Sequence, residues 1–543
     1  MSARWLQGFA LVAALLLLDV SLTFHNVWPT PAISWRGEIS AELAAYIVCV
    51  AAISARAARR RSSSTATIVP SAALRLITVV WMSFVVGRYA DVTATALFGR
   101  DINLYWDLRF IPDVVSLLAK AAHVWLVLGV VAAAALVLGL LYLVLRWAIG
   151  EVTRAAGGDP RERAVLATVS AIVLLLFAAE PIAGARVPGV EFARPVTLTY
   201  ARQIVVAVRA MAGTTSVAAS PAMTSDVARL GGADVYLIFL ESYGAVTFDR
   251  PAFAHGLAAA RRTFEEAIRD TNRGVVSALV ESPTFGGNSW LAHISLMSGV
   301  EVRDPDVNAM LMAQKRDTIV TAFKRRGYRT IALMPGLWQA WPEGSFYHFD
   351  DIYGGERLDY RGPEFGWFDI PDEFALAKFD ALEGDTPSRP PLFMFFPTIS
   401  THTPFRPTPP YQPDWSRMLT DQPFEQADLD RSFDQQADWL NLGPSYVDAM
   451  SYTYATLSGY LRKTRDRDVV MVLLGDHQPP ALVSGEGAPW DVPVHVVASR
   501  RDVLDRLVAR GFRRGLTPSR PDLSKMHALL PVLLDAFAGN TSR

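Results

Sequence analysis

The sequence predicts an N-terminal region of about five transmembrane helices, followed by an α/β domain with a largely parallel sheet. Three observations lead there. Long apolar runs crowd into the first third of the chain, short continuous apolar runs recur after residue 233, and polar residues with metal-ligating chemistry follow the ends of those short runs. At 543 residues the chain exceeds one ordinary domain, and its 51% apolar content is high for a soluble protein. Mean hydropathy is positive, at +0.21. The net charge of −1 gives no basis for nucleic-acid binding. Cys49 is the only cysteine, which excludes an internal disulfide and a cysteine-based zinc site.

Five segments approach the ~20 apolar residues that a spanning helix needs. They run approximately Leu6–Phe24, Ile39–Ala55, Ala72–Val92, Ala119–Leu145 and Val165–Ala183, the second being the shortest. No small-x-small cleavage site follows Leu18, so the first reads as an uncleaved anchor. Arg56, Arg59, Arg60 and Arg61 follow the second segment, and Arg146, Arg154, Arg161 and Arg163 follow the fourth. Both groups should be cytoplasmic by the positive-inside rule, whereas the loops between them, with Arg36 and Glu38 or Asp101, Asp107, Arg109 and Asp113, are mixed in charge. Five spans with the N-terminus inside put everything after residue 185 outside the cytoplasm. Arg88 and Asp91 lie three apart in the third span, either paired or snorkelling at the outer interface.

Residues 1–184 thus form a transmembrane domain and 185–233 a juxtamembrane helix and linker. Tyr200, Ile204, Val205, Val208 and Met211 recur at helical spacing there, as expected of an amphipathic helix on the membrane or one packed on the next domain. Residues 212–222 read as a flexible connector.

Residues 234–543 form the extracytoplasmic domain. Strands are expected at Val235–Leu240, Thr330–Met334, Leu392–Phe396 and Val469–Leu474, all apolar enough to be buried on both faces. Glu241 follows the first. Ser400, Thr401 and His402 follow the third, and Asp476 and His477 follow the fourth. Ligands in open α/β sheets bind beyond the carboxyl ends of strands. Glu241, Asp476 and His477 suit one divalent ion, Mn²⁺ or Zn²⁺, with Mg²⁺ a third option. Residues 281–299 pass from a loop with Pro283, Gly286 and Gly287 into an apolar helix. Ser289 sits at that junction, where a hydroxyl meets unpaired backbone N–H groups; it serves as a helix cap, a nucleophile, or both.

These residues resemble the membrane-anchored, sulfatase-like branch of the alkaline phosphatase superfamily, which includes lipoteichoic acid synthases, phosphoglycerol transferases and phosphoethanolamine transferases. The resemblance rests on Val-Tyr-Leu-Ile-Phe-Leu-Glu241-Ser, on Val-Val-Met-Val-Leu-Leu-Gly-Asp476-His477 and on Thr401-His402-Thr-Pro-Phe405. It implies that Glu241, Asp476 and His477 bind the metal together with the nucleophile, and that His402 binds substrate. Counting ten residues back from Gly299, as in the sulfatase pattern, selects Ser289 as nucleophile over Thr284 and puts His293 where the family has arginine. The absent Pro and Arg disfavour formylglycine and a true sulfatase. Trp341 and His348 fall where relatives bind a polar head group.

The implied activity is transfer of a phosphoglycerol- or phosphoethanolamine-type group from a membrane phospholipid to an extracytoplasmic glycan or lipid, through a phospho-Ser intermediate. The implied location is a bacterial-type inner membrane with a periplasmic catalytic domain. Three alternatives stand beside this reading. One is a membrane-anchored phosphodiesterase, phosphatase or sulfatase-type hydrolase. A catalytically silent scaffold and a transporter are the others, though no paired broken helices or internal repeat support a transporter.

Overall fold

The computed structural model describes residues 3–60, 70–108, 124–183, 189–212, 217–338, 341–366, 369–386 and 388–539. Arg61, Asp113 and the connector residues 213–216 lie outside them, as does the expected start of the fourth span at 119–123. The chain groups into two compact units: Met1–Ala96 with Asp101–Thr214, and Leu97–Arg100 with Thr215–Arg543.

The first unit contains α1 (Ala3–Thr23), α2 (Ala41–Arg60), α3 (Ser71–Phe98), α4 (Val124–Gly157), α5 (Pro160–Ala183) and α6 (Val196–Ala212). Among the described residues four helices are long and apolar enough to cross a membrane: Trp5–Thr23, Ser71–Phe98, Val127–Gly157 and Pro160–Glu180. The expected fifth, on Ile39–Ala55, is the helix α2, but its arginine-bearing end dilutes its apolar character. It nevertheless packs against α4 and α5 and buries Leu43, Ile47, Val50 and Ala51. Arg146 and Arg154, expected in a loop, lie inside α4, which continues to Gly157.

α6 lies against α3, with Tyr200 donating its hydroxyl to Ser83 O at 2.8 Å. Its Leu198, Ile204, Val205 and Val208 are exposed.

The second unit is built on a nine-stranded sheet. Its strands are β1 (Asp234–Leu240), β2 (Gly274–Glu281), β3 (Arg329–Met334), β4 (Asp351–Gly354), β5 (Leu392–Pro397), β6 (Val469–Gly475), β7 (Asp491–Ala498), β8 (Arg513–Arg514) and β9 (Ser524–Lys525). The order is β8–β2–β7–β6–β1–β5–β3–β4, with β9 beside β2. The β6–β1–β5–β3–β4 stretch is parallel, and β7 runs antiparallel between β6 and β2. The sheet is therefore mixed and mostly parallel.

Every residue of β1 and β6 is buried, because both faces of the sheet are covered. Alternation divides the apolar runs between two cores. Leu237, Phe239, Val472 and Leu474 join one core with helices α7 (Ser289–Ser298) and Met526–Phe537. Tyr236, Ile238, Met471 and Leu473 join the other with α8 (Asp372–Phe379) and α9 (Gly443–Lys463).

One buried acid burdens this second core. Glu373, on α8, accepts from Gln412 N at 3.1 Å through Oε2, while its buried Oε1 has no partner. Burial pushes its carboxyl up to about 8 against the pull of the Gln412 N–H. A raised folded value means stability that is full below the unfolded value of 4.5 and is lost as pH climbs to about 8, at a slope of about 1.4 kcal/mol per pH unit. Glu373→Gln should remove that slope. In thermal unfolding of the full chain, the variant should match the parent near pH 4.5 and exceed it by several degrees at pH 8; equal midpoints at both pH values would refute the assignment.

Candidate active site

The parallel register pairs Leu240 of β1 with Gly475 of β6, so the next residues along, Glu241 and Asp476, emerge side by side. The backbone that carries Glu241 is gripped at both ends. Its N–H donates to Thr398 Oγ1 at 3.0 Å, and its carbonyl accepts from Thr401 Oγ1 at 2.6 Å. Ser242 turns the chain in the left-handed region, at φ 58°. That turn aims the Ser242 N–H at Asp476 Oδ1, at 2.9 Å, and its hydroxyl at Glu241 Oε1, at 3.0 Å. His477 N also donates to Asp476 Oδ1, at 2.6 Å. Both donors use Oδ1, leaving Oδ2 to face the cluster.

His477 Nδ1 lies 2.7 Å from the Gln478 carbonyl. Because a carbonyl only accepts, Nδ1 carries the proton and Nε2 presents a lone pair. Ser289, the first residue of α7, places Oγ 2.9 Å from Glu241 Oε2 and 3.1 Å from His477 Nε2. One hydroxyl hydrogen thus faces two acceptors. Ligand atoms of Glu241, Asp476 and His477 all lie within 4.8 Å of one another, and all three residues are buried.

The electrostatics point the same way. Burial and the neighbouring Glu241 charge drive Asp476 well above the usual carboxylate range. Burial also pushes Glu241 upward, but the imidazoles of His477 and His402 and the hydrogen bonds from Asp476 and Ser289 outweigh it and hold this carboxyl low. Burial keeps His477 below the ordinary histidine value against the pull of Glu241. Two buried acids with converging lone pairs and one shared hydroxyl hydrogen fit a divalent cation.

Of the other residues expected at the site, Thr284 is buried and donates its hydroxyl to Gly287 O at 2.6 Å. His402 is half-buried, with Nδ1 2.9 Å from Thr403 O, and lies near enough to Glu241 and His477 to act on both electrostatically. His293 follows Ser289 by one turn of α7. Its ring packs on Phe239 at 4.5 Å and Phe395 at 5.4 Å, and its shielded Nε2 has no partner. Burial holds this imidazole down to about 3, hence neutral.

Trp341 packs on the buried ring of Tyr347 at 5.6 Å, at the edge of the core. His348 is not brought to the cluster. It precedes β4, whose Asp351 pairs with Ile331 near the start of β3, so it sits at the amino ends of the parallel strands, opposite the carboxyl end that carries Glu241. Its position in sequence concealed this, because which end of the sheet it reaches is decided by the pairing of β4 with β3.

Sequence reasoning missed the supports. Asp372, at the start of α8, accepts from Ile399 N at 2.9 Å and Ser400 N at 3.0 Å, and its own N–H donates to Ser400 Oγ. It thereby fixes the segment whose Thr398 and Thr401 hold Glu241. Burial pushes Asp372 up to about 6, against these hydrogen bonds. An acid at the start of a helix gives no hint in sequence that it serves a loop elsewhere.

The model of the sulfatase family matches residues 296–492. The matched span includes His402, Asp476 and His477 and stops short of Glu241 and Ser289, which the geometry supplies. No curated protein matches the chain. Solved structures similar to it at low identity include three from Listeria monocytogenes, Streptococcus pyogenes and Escherichia coli. The lipoteichoic acid synthase LtaP from Listeria monocytogenes is 14% identical with a TM-score of 0.40, over 61% of this chain and 77% of that one. The Streptococcus pyogenes phosphoglycerol transferase GacH, in complex with sn-glycerol-1-phosphate, is 13% identical with a TM-score of 0.34, over 57% and 76%. The C-terminal periplasmic domain of EcEptC from Escherichia coli is 14% identical with a TM-score of 0.32, over 49% and 72%. The family match likens residues 296–492, which lie within the second unit, to the sulfatase family.

Proposed function

We propose that the protein transfers a phosphoglycerol- or phosphoethanolamine-type group from a membrane phospholipid to an extracytoplasmic glycan or lipid acceptor. The observation that carries this reading is the Ser289 hydroxyl, directed at Glu241 and His477 from the start of a helix, in a chain that also bears membrane-length apolar helices. Ser289 Oγ attacks the phosphorus of the lipid. The Oγ–P bond forms as the P–O bond to the diacylglycerol breaks, and the hydroxyl proton passes by way of Glu241 Oε2 to the leaving oxygen. An acceptor hydroxyl then attacks the phospho-Ser phosphorus: its O–P bond forms as the Oγ–P bond breaks, and its proton passes to Oγ, restoring Ser289. Backbone N–H groups at the start of α7 face the phosphoryl oxygens, while His402 and His293 contact the transferred group or order its approach. Trp341 borders the head-group side, and His348 has no part in this reading.

Glu241, Asp476, His477 and Ser289 Oγ would hold one divalent ion, Mn²⁺ or Zn²⁺ with Mg²⁺ as the third option, which would acidify the hydroxyl and offset the charge of the phosphoryl group. α2 is the fifth crossing: its 20 residues extend ~30 Å, and it packs against two helices of membrane-crossing length. Five crossings with the arginine-rich end of α2 in the cytoplasm put the catalytic domain outside, in the periplasm of a bacterial-type inner membrane.

Full-length protein incubated with head-group-labelled phospholipid, with and without glycan, should label the glycan. Label appearing only as free head group would favour the hydrolase alternative. Ser289→Ala should lower head-group release by about 10³-fold or more, and Thr284→Ala should leave the chemical step intact. An active Ser289→Ala enzyme would overturn the nucleophile.

The supports predict a separate effect. Thr401→Val removes a hydrogen bond to the Glu241 carbonyl and should weaken Mn²⁺ or Zn²⁺ binding roughly 10–100-fold by calorimetric titration. Unchanged affinity would mean that Thr401 does not set the position of Glu241.

A further inference from the structure

A groove of about 570 Å³ lies wholly within the first unit, walled by α2, α3, α5 and the start of α6. On α3 it runs from Leu76 to Phe84, eight steps and hence about 12 Å along the helix axis. Its side is open: Leu76, Val80 and Leu198 are all exposed. Its wall is apolar, and the polar groups on it are already engaged. Trp81 Nε1 donates to Ser21 Oγ at 3.0 Å, and Tyr46 OH pairs with Thr153 Oγ1 at 2.6 Å. Glu42 accepts from Thr197 N at 3.1 Å, from Thr197 Oγ1 at 3.3 Å and from Ser40 Oγ at 3.2 Å.

A water molecule in a cavity needs two or more free polar partners, and a sugar or an ion needs more. Hydrocarbon needs none. The polarity is also graded along the groove. Glu42 and Thr197 stand at the end where α6 meets α3 through Tyr200 and Ser83, whereas Leu76 and Tyr46 stand deeper along α3 and α2. The helices walling its open side include two of membrane-crossing length, so in a bilayer the medium there would be acyl chain.

We propose that this groove binds one acyl chain of a bilayer phospholipid, with the polar end of the lipid at Glu42 and Thr197, so that the first unit is a lipid receptor as well as an anchor. The identification of that lipid with the donor rests on the transferase reading. The groove itself does not.

The test uses the full chain in nanodiscs containing phosphatidylglycerol and phosphatidylethanolamine. Ala45→Trp and Val80→Trp fill the groove from α2 and α3. Val137→Trp, at an exposed position of α4 away from the groove, is the control. After transfer to delipidating detergent, native mass spectrometry should find one phospholipid retained by the parent and by Val137→Trp, and none by either groove variant. A parent that retains no lipid, or groove variants that retain it while their thermal midpoints match the parent, would overturn the proposal.

Activity separates the two readings. With phosphatidylglycerol the groove variants should show KM raised roughly tenfold or more with kcat unchanged, whereas turnover of water-soluble bis-p-nitrophenyl phosphate should equal that of the parent. Lipid displaced with KM unmoved would refute the donor role. Lipid displaced in a chain whose parent consumes no phospholipid would sink the transferase reading and leave the groove standing.

Discussion

Two carboxylates forced together inside the protein set the terms for the second unit. β1 and β6 are adjacent, parallel and in register, so Glu241 and Asp476 leave the sheet as neighbours about 4.8 Å apart in the backbone. Like charges 4 Å apart repel by about 4 kcal/mol at an effective dielectric near 20, and burial adds to the cost. Folding cannot relieve this by turning one side chain away, because Ser242 N, His477 N and Ser242 Oγ hold both carboxylates in place. A shared proton or a cation must be supplied. The neutral imidazole of His477, its lone pair fixed inward by the Gln478 carbonyl, is the partner of a cation rather than a substitute for one.

The same arrangement explains why so much of the surrounding structure is devoted to a single strand end. Thr398 and Thr401 come from the segment after β5, which lies beside β1 on the side away from β6. Asp372 fixes that segment from α8. Each link is a hydrogen bond of modest net worth, but leaving any one unmade strands a buried partner, which costs more than the bond contributes. The chain therefore holds Glu241 in place at the expense of burying another acid, Asp372.

The parts of this architecture that are local in the chain were legible in the sequence. The four expected strands match β1, β3, β5 and β6 to within a residue or so at each end, because continuous apolar runs ending in polar residues leave few other readings. Glu241, Asp476, His477 and Ser289 emerged because each follows or begins an element. What sequence could not carry was pairing. Strands β2 and β7, whose runs are broken by Ser277 and His495, went unread; inside the sheet these two residues satisfy each other, Ser277 Oγ lying 2.6 Å from His495 Nδ1. His348 failed for the same reason. Its place at the amino ends of the parallel strands follows from the pairing of β4 with β3, which its position in sequence does not show.

Arg88 shows how that limit works within a membrane-length helix. Its spacing from Asp91 invites an i,i+3 ion pair, yet both are buried and no ion pair joins them. Arg88 Nε instead donates to Phe24 O at 2.9 Å, and its guanidinium also reaches Arg194 O and His25 Nε2, both at 3.4 Å. Phe24 directly follows α1, where carbonyls lack helical partners and the helix dipole is negative. A guanidinium presents a fork of donors, and a single carboxylate on its own helix satisfies fewer of them than carbonyls arriving from two other segments. The charge therefore closes the end of α1 and ties α3 to the chain entering α6. An arginine that sequence places on one helix belongs, by its hydrogen bonds, to three segments.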